Sequence, residues 1–305
     1  MKTLHKKAMS IAAVALLSGL ACSSVFAEEA AAAAEAPEVS PITANVTVVS
    51  DYRYRGISQS DFKPAIQGGF DYAHESGFYV GNWNSSISWI SDAYGPNGGA
   101  SGKGNSYGSV SAPIEMDFYA GIKKELIAEG FATDLGFLQY YYPTTGIPAT
   151  PGLTANPNTS EIYLAQNFTF GGLTGFAKVS YAVSTLFGTV NSTGSYYPDL
   201  TLNYDTGFWG LALNGHVGYQ YVAGNTPTGA TNYQNNSLNG VSNSSLYTYT
   251  DWKLGVTKDF GGGLSLAVAY IGTNAATYLG GYSYSSPTGK NLGKSTGLVS
   301  LTKTF

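Results

Sequence analysis

From Ile42 to the end of the chain, apolar and polar residues alternate with a period of two, in segment after segment. Each segment is roughly ten residues long, the reach of a tilted strand across a bilayer. Twelve such segments can be marked. In the first, Ile42, Ala44, Val46, Val48, Tyr52 and Tyr54 share one face, and Thr43, Asn45, Thr47, Asp51, Arg53 and Arg55 share the other. The fourth sets Ile114, Met116, Phe118, Ala120 and Ile122 against Glu115, Asp117, Tyr119 and Lys123. The ninth sets Leu211, Leu213, Val217 and Tyr219 against Asn214, His216 and Gln220, and the tenth sets Trp252, Leu254 and Val256 against Asp251, Lys253 and Thr257. One face of each strand is built for an apolar medium and the other for water.

The connections separate a membrane barrel from a soluble sandwich. From the second link onward they alternate between short ("HESG", "KELIAEG", "GGL", "DTGFW", "DFGGG") and long (90–112, 143–160, 184–197, 223–246, 273–294). Short turns on one rim and long loops on the other are the asymmetry of an outer-membrane barrel. Only the first link, around Ser60-Asp61-Phe62-Lys63, is brief where a long loop is due. An even strand count brings both ends of the barrel to the short-turn, periplasmic side.

Composition agrees. The chain is 14% aromatic and 11% charged, against about 25% charged for an ordinary soluble domain. After the N-terminal region no apolar run is long enough for a transmembrane helix. The tyrosine-rich runs "QYYYP", "SYYPD", "YTYTDW" and "GGYSYSSP" fall at strand ends, where amphipathic rings suit an interface. The balance of charges is mildly acidic, net −4, and the scattered bases give no nucleic-acid surface.

The ends carry addresses. Lys2, Lys6 and Lys7 precede a short apolar core, Ile11–Leu20, and Val25-Phe26-Ala27 offers a cleavage site, so residues 1–27 read as a secretory signal peptide. Cys22 after Gly19-Leu20-Ala21 leaves a lipoprotein alternative with glycine and leucine in poor positions. Cleavage after Ala27 leaves a mature chain without cysteine, and therefore without disulfides or thiol chemistry. Residues 28–41 are an Ala/Glu/Pro linker with no apolar periodicity, and 42–305 form the barrel. Val299, Leu301 and Phe305 share one face of the last strand, an expected signal for the outer-membrane insertion machinery, with Lys303 free to snorkel its amine to the headgroups.

The stretch "VTVVSDYRYRGISQSDFKPAIQGGFDYAHESGFYVGNW" resembles the TorF-type porin family, a conserved proteobacterial outer-membrane protein family. The resemblance is carried by Ser50-Asp51-Tyr52-Arg53, Arg55-Gly56-Ile57-Ser58-Gln59, Pro64, Gln67-Gly68-Gly69 and Gly77-Phe78-Tyr79-Val80-Gly81. Tyr140-Tyr141-Tyr142-Pro143, Glu161-Ile162-Tyr163 and Tyr249-Thr250-Asp251-Trp252-Lys253 fit it further along. It implies an outer-membrane barrel with a transport role, and brings neither substrate nor catalytic residues.

The expected fold is an all-β, twelve-stranded transmembrane antiparallel barrel. A barrel of this size lies between the filled eight-stranded kind and open wide channels, so a narrow aqueous path and a blocked lumen are both compatible. Its predicted pore-lining residues are Asp51, Arg53, Arg55, Asp71, Glu115, Asp117, Lys123, Asp134, Glu161, Lys178, Asp205, His216, Asp251 and Lys253. Arg53 and Arg55 are the chain's only arginines. With a first turn centred near Asp61, Arg53 faces Gly69 and Asp51 faces Asp71. The pair then either sets up a transverse field that orients small solutes or is neutralised by those acids and ties the wall together. His74-Glu75-Ser76 has a His-x-Ser spacing but falls in a short turn, and two histidines on separate strands make no metal-ligand pattern. The expected function is a passive channel for small hydrophilic solutes, with a non-conducting structural or surface-interaction barrel as the alternative. No enzyme activity, metal or cofactor is expected. The expected surroundings are outer-membrane lipid and lipopolysaccharide, after export from the cytoplasm.

Overall fold

The computed structural model describes residues 40–94, 110–147, 156–231 and 236–305. The signal peptide and most of the linker expected from the sequence lie outside these residues. Twelve strands close into one antiparallel barrel. In chain order they are Ile42–Val49, Ala65–Ala73, Phe78–Ser86, Ile114–Ala128, Phe131–Tyr141, Thr159–Phe170, Leu173–Ala182, Tyr196–Asp205, Leu211–Gln220, Tyr249–Asp259, Leu264–Thr273 and Thr296–Thr304, hereafter the first to the twelfth. Closure comes from the first strand pairing with the twelfth, with Val48 opposite Leu301. Every strand thus has a neighbour on both sides, and no edge is left with unpaired backbone groups.

The period of two sorts the side chains. Thr47, Gln67, Ser85, Glu115 and Asp117 point inward and are buried, while Val48, Ile66, Phe70, Leu164 and Leu254 point outward and stay exposed. A soluble protein would not leave this continuous outer belt uncovered. Val256, Val268 and Val299 sit side by side across three strands of it. Val268→Arg is therefore expected to destabilise the barrel by about 2–4 kcal/mol, the cost of a charge at mid-bilayer depth. Urea titration in lipid vesicles measures it, and no loss of stability would contradict a lipid-facing belt.

At the short-turn rim, Phe208 and Trp209 are exposed beside Phe260, and Phe131 packs edge-on against Phe170 at 5.0 Å. In the terminal segment Val299, Leu301 and Phe305 are all outward and exposed.

Two readings of the sequence need correction here. The first link is not brief. The first strand ends at Val49, which pairs with Ala65, so residues 50–64 form a connection that belongs with the long-loop set. The alternation of short and long links is thus unbroken. The tyrosine-rich runs, too, do not all face the interface. In "QYYYP" Tyr141 is outward, but Tyr140 and Tyr142 are 2% and 3% exposed inside the barrel, because alternation assigns adjacent tyrosines to opposite faces.

Candidate functional site

Residues 50–64 do not rise from the barrel but fold into it. Arg53 pairs with Ser58 and Tyr54 with Ile57, a two-residue-per-strand hairpin closed by Arg55 and Gly56. Both turn residues have positive φ, 45° and 77°, the backbone that a tight type I′ hairpin requires. Glycine takes that conformation without strain and arginine does not, so the strain at Arg55 must be offset by what its side chain reaches.

What it reaches is the far wall. Arg55 donates from Nη2 to both carboxylate oxygens of Glu161 on the sixth strand, at 2.7 and 2.9 Å. It also donates from Nη1 to Gln220 Oε1 on the ninth strand at 2.6 Å. Its guanidinium lies over the Tyr197 ring at 4.2 Å and the Tyr54 ring at 4.9 Å. Gly218 leaves the room that Tyr197 occupies, since a Cβ there would strike the phenol.

Arg53 serves the hairpin itself. Its Nε donates to Asp51 at 2.6 Å, and its Nη1 donates to the carbonyls of Gly56, Leu292 and Lys294. Asp51 also accepts from Ser58 Oγ at 2.6 Å. Arg53 therefore ties the hairpin to the last long connection, and Arg55 ties it across the lumen.

The register expected for this stretch is overturned. Gly69 lies opposite Asn45 and Asp71 opposite Thr43, so neither arginine meets them. Asp71 instead accepts from Tyr119 Oη at 2.5 Å. Tyr52 and Tyr54, expected to face lipid, are inside. Tyr52 is fully buried, donates to Glu115 and packs edge-on against Trp83 at 5.5 Å. Tyr54 shares a 2.5 Å hydrogen bond with Tyr140.

The lumen has two chemically different sides. Strands two to six carry phenols bonded to carboxylates: Tyr119 to Asp71, Tyr142 to Glu115 at 2.6 Å, and Tyr79 to Asp134 at 2.6 Å. Strands seven to ten carry the lumen bases other than Lys123, which lies on the fourth, together with the acids Asp199 and Asp251. Lys178 lies 3.5 Å from Asp199, while His216 contacts Asp251 at 3.0 Å through Nε2 and Thr201 at 2.8 Å through Nδ1. Lys253 is buried opposite His216, and Lys123 opposes Asp134. Asp117 is buried with one carboxylate oxygen lacking a hydrogen-bond partner among the described residues. Asp205 is the outlier, since it accepts from Gly207 N at 2.9 Å and shapes a short turn.

Residues the sequence reading passed over complete the site. Asp199 sits two positions before Thr201 on the inward face, and Pro198 beside it obscured the start of the strand. Tyr52, Tyr54, Tyr140 and Tyr197 were hidden by their ambiguous character as rings that suit either lipid or water. His74 Nδ1 and Ser76 Oγ do meet at 2.8 Å, but in an exposed turn, with no carboxylate bonded to the ring among the described residues.

Above the hairpin, a cavity of about 260 Å³ is lined by Ser58, Asp61, Trp89, Asp92, Tyr247 and Tyr282, among others. Tyr284, in the last long connection, donates to the Tyr247 carbonyl at 2.8 Å. Burial pushes its phenol well above the ordinary value, so it remains a donor. Below the hairpin the free space shrinks to a cavity of about 60 Å³ between Arg55 and the basic wall.

Among solved structures, the KdgM porin aligns with 86% of this chain and 99% of its own, with a TM-score of 0.48 and 7% identity. The KdgM porin in complex with disordered oligogalacturonate gives a TM-score of 0.46 and 7% identity over 87% and 98% of the two chains. OccD3 (OpdP) of Pseudomonas aeruginosa gives 0.40 and 10% over 86% and 60%. No curated protein matches the sequence. Residues 31–305 match the family model described as "Bacterial protein of unknown function (Gcw_chp)", and the chain belongs to that family.

Proposed function

We propose that the protein is an outer-membrane channel for small hydrophilic solutes, with the hairpin of residues 50–64 as its constriction. The observation that carries this reading is the division of the barrel wall. An apolar belt faces outward, and the enclosed face is polar, with buried charges on five strands and on the hairpin. Charges are costly to bury in a packed core, and a hydrated path accommodates them at lower cost. The TorF-type resemblance of the sequence agrees with a transport role. Solutes would pass from the wider outer cavity to the narrow one below the hairpin, between the phenol–carboxylate side and the basic side. A mixed lining of this kind favours small polar solutes over large or strongly charged ones.

The opposing reading, a non-conducting barrel, has the hairpin itself in its favour, since Tyr52, Arg53 and Arg55 are each 9% exposed or less within the lumen. Purified protein in a planar bilayer decides between them. Discrete conductance steps are expected, small for a barrel of this strand count. A silent bilayer, from protein whose gel mobility shifts on heating as a folded barrel does, would favour the closed reading.

A further inference from the structure

Beneath the hairpin, and on the reading of the barrel as a channel, the narrow cavity has a chemistry of its own. At about 60 Å³ it has room for a few water-sized groups, at roughly 10–15 Å³ each. Four cationic side chains line it: Arg53, Arg55, Lys178 and Lys253. Three are matched, Arg53 by Asp51 at 2.6 Å, Arg55 by Glu161 at 2.7 Å and Lys178 by Asp199 at 3.5 Å.

Lys253 is not. The residue is 6% exposed, and among the described residues it makes neither an ion pair nor a hydrogen bond. Asp251, two positions along the same face, keeps a negative charge that acts on Lys253, but its oxygens bond elsewhere. One of its oxygens accepts from Tyr197 Oη at 2.9 Å, and the other meets His216 Nε2 at 3.0 Å. Lys253 Nζ is not sealed off but opens on the cavity with three donors and no protein acceptor among the described residues, and an anion in the cavity can accept from it. The rest of the lining narrows the choice. Leu138, Phe176 and Ile271 give the cavity an apolar flank that suits a short alkyl group, beside the hydroxyls of Tyr140, Ser180 and Thr201.

We propose that this cavity is a binding step for small monocarboxylates, with the carboxylate on Lys253 Nζ and the alkyl part against Leu138, Phe176 and Ile271. Saturation-transfer NMR on the detergent-solubilised full chain tests it with sodium butyrate, and with butylammonium chloride as the charge-inverted probe. Transfer to butyrate is expected to exceed transfer to butylammonium, to disappear in Lys253→Met and to persist in Lys253→Arg. Heat-modifiable gel mobility checks that both variants are folded. Absent transfer to butyrate, equal transfer to butylammonium or undiminished transfer in Lys253→Met would each overturn the proposal. The comparison of the two probes on the native chain holds even if a variant fails to fold. The readout is binding and not current, so a silent bilayer would sink the channel reading without touching this one.

Discussion

Glu161→Ala is expected to destabilise the barrel by about 3–5 kcal/mol, because it leaves Arg55 charged and buried without its partner. Glu161 is 1% exposed and accepts two bonds from one guanidinium, so water cannot easily replace it. Gln220 and the two aromatic faces would remain, and none of them supplies a negative charge. Glu161→Gln is expected to lose less, since one carbonyl oxygen still accepts from Nη2. The pair Arg55→Met with Glu161→Met is expected to be close to neutral, since replacing both ions by apolar groups removes the desolvation cost along with the attraction. Urea titration in vesicles, read by gel mobility, measures all three variants. If Glu161→Ala loses less than about 1 kcal/mol while the barrel still closes, the pair is solvated and the hairpin is not held as described.

How much of this was legible in the sequence depends on what a period of two can report. It reports that a residue and its second neighbour share a face, and this placed Glu115, Asp117, Glu161, His216, Asp251 and Lys253 inside the barrel. It does not report where a strand stops. Asp51, Arg53 and Arg55 continue the alternation of the first strand, because a small hairpin turned inward has the same period as the strand that leads into it. The breaker was present, as Gly56 follows Arg55, but Arg-Gly is a weaker hairpin signal than Asn-Gly or Asp-Gly. One missed strand end then reversed the assignment of Tyr52 and Tyr54, which lie in the lumen and not in lipid. The partners of Arg55 were beyond reach for a different reason. Glu161 and Gln220 are 106 and 165 residues away, and only closure of the barrel brings them together.

Because Val49 and Ala65 are paired, residues 50–64 can be replaced by Asn-Gly, a two-residue turn that joins antiparallel neighbours without altering their register. The barrel without its hairpin is expected to conduct several-fold more than the native one, since Tyr52, Arg53, Tyr54 and Arg55 leave the narrowest level of the lumen. Its selectivity should also shift in a definite direction. Glu161 loses Arg55 and Glu115 loses the Tyr52 phenol, while Asp117 gains water. Three acids then face an open path with no guanidinium among them, and such a cluster draws cations. Reversal potentials in a salt gradient should therefore move toward cation preference. Conductance is the first reading and selectivity the second, and they fail separately. A shortened barrel that is folded and conducts no better than the native chain would remove the hairpin as the constriction. A larger current without a cation shift would instead mean that the acids are paired with other groups once the hairpin is gone.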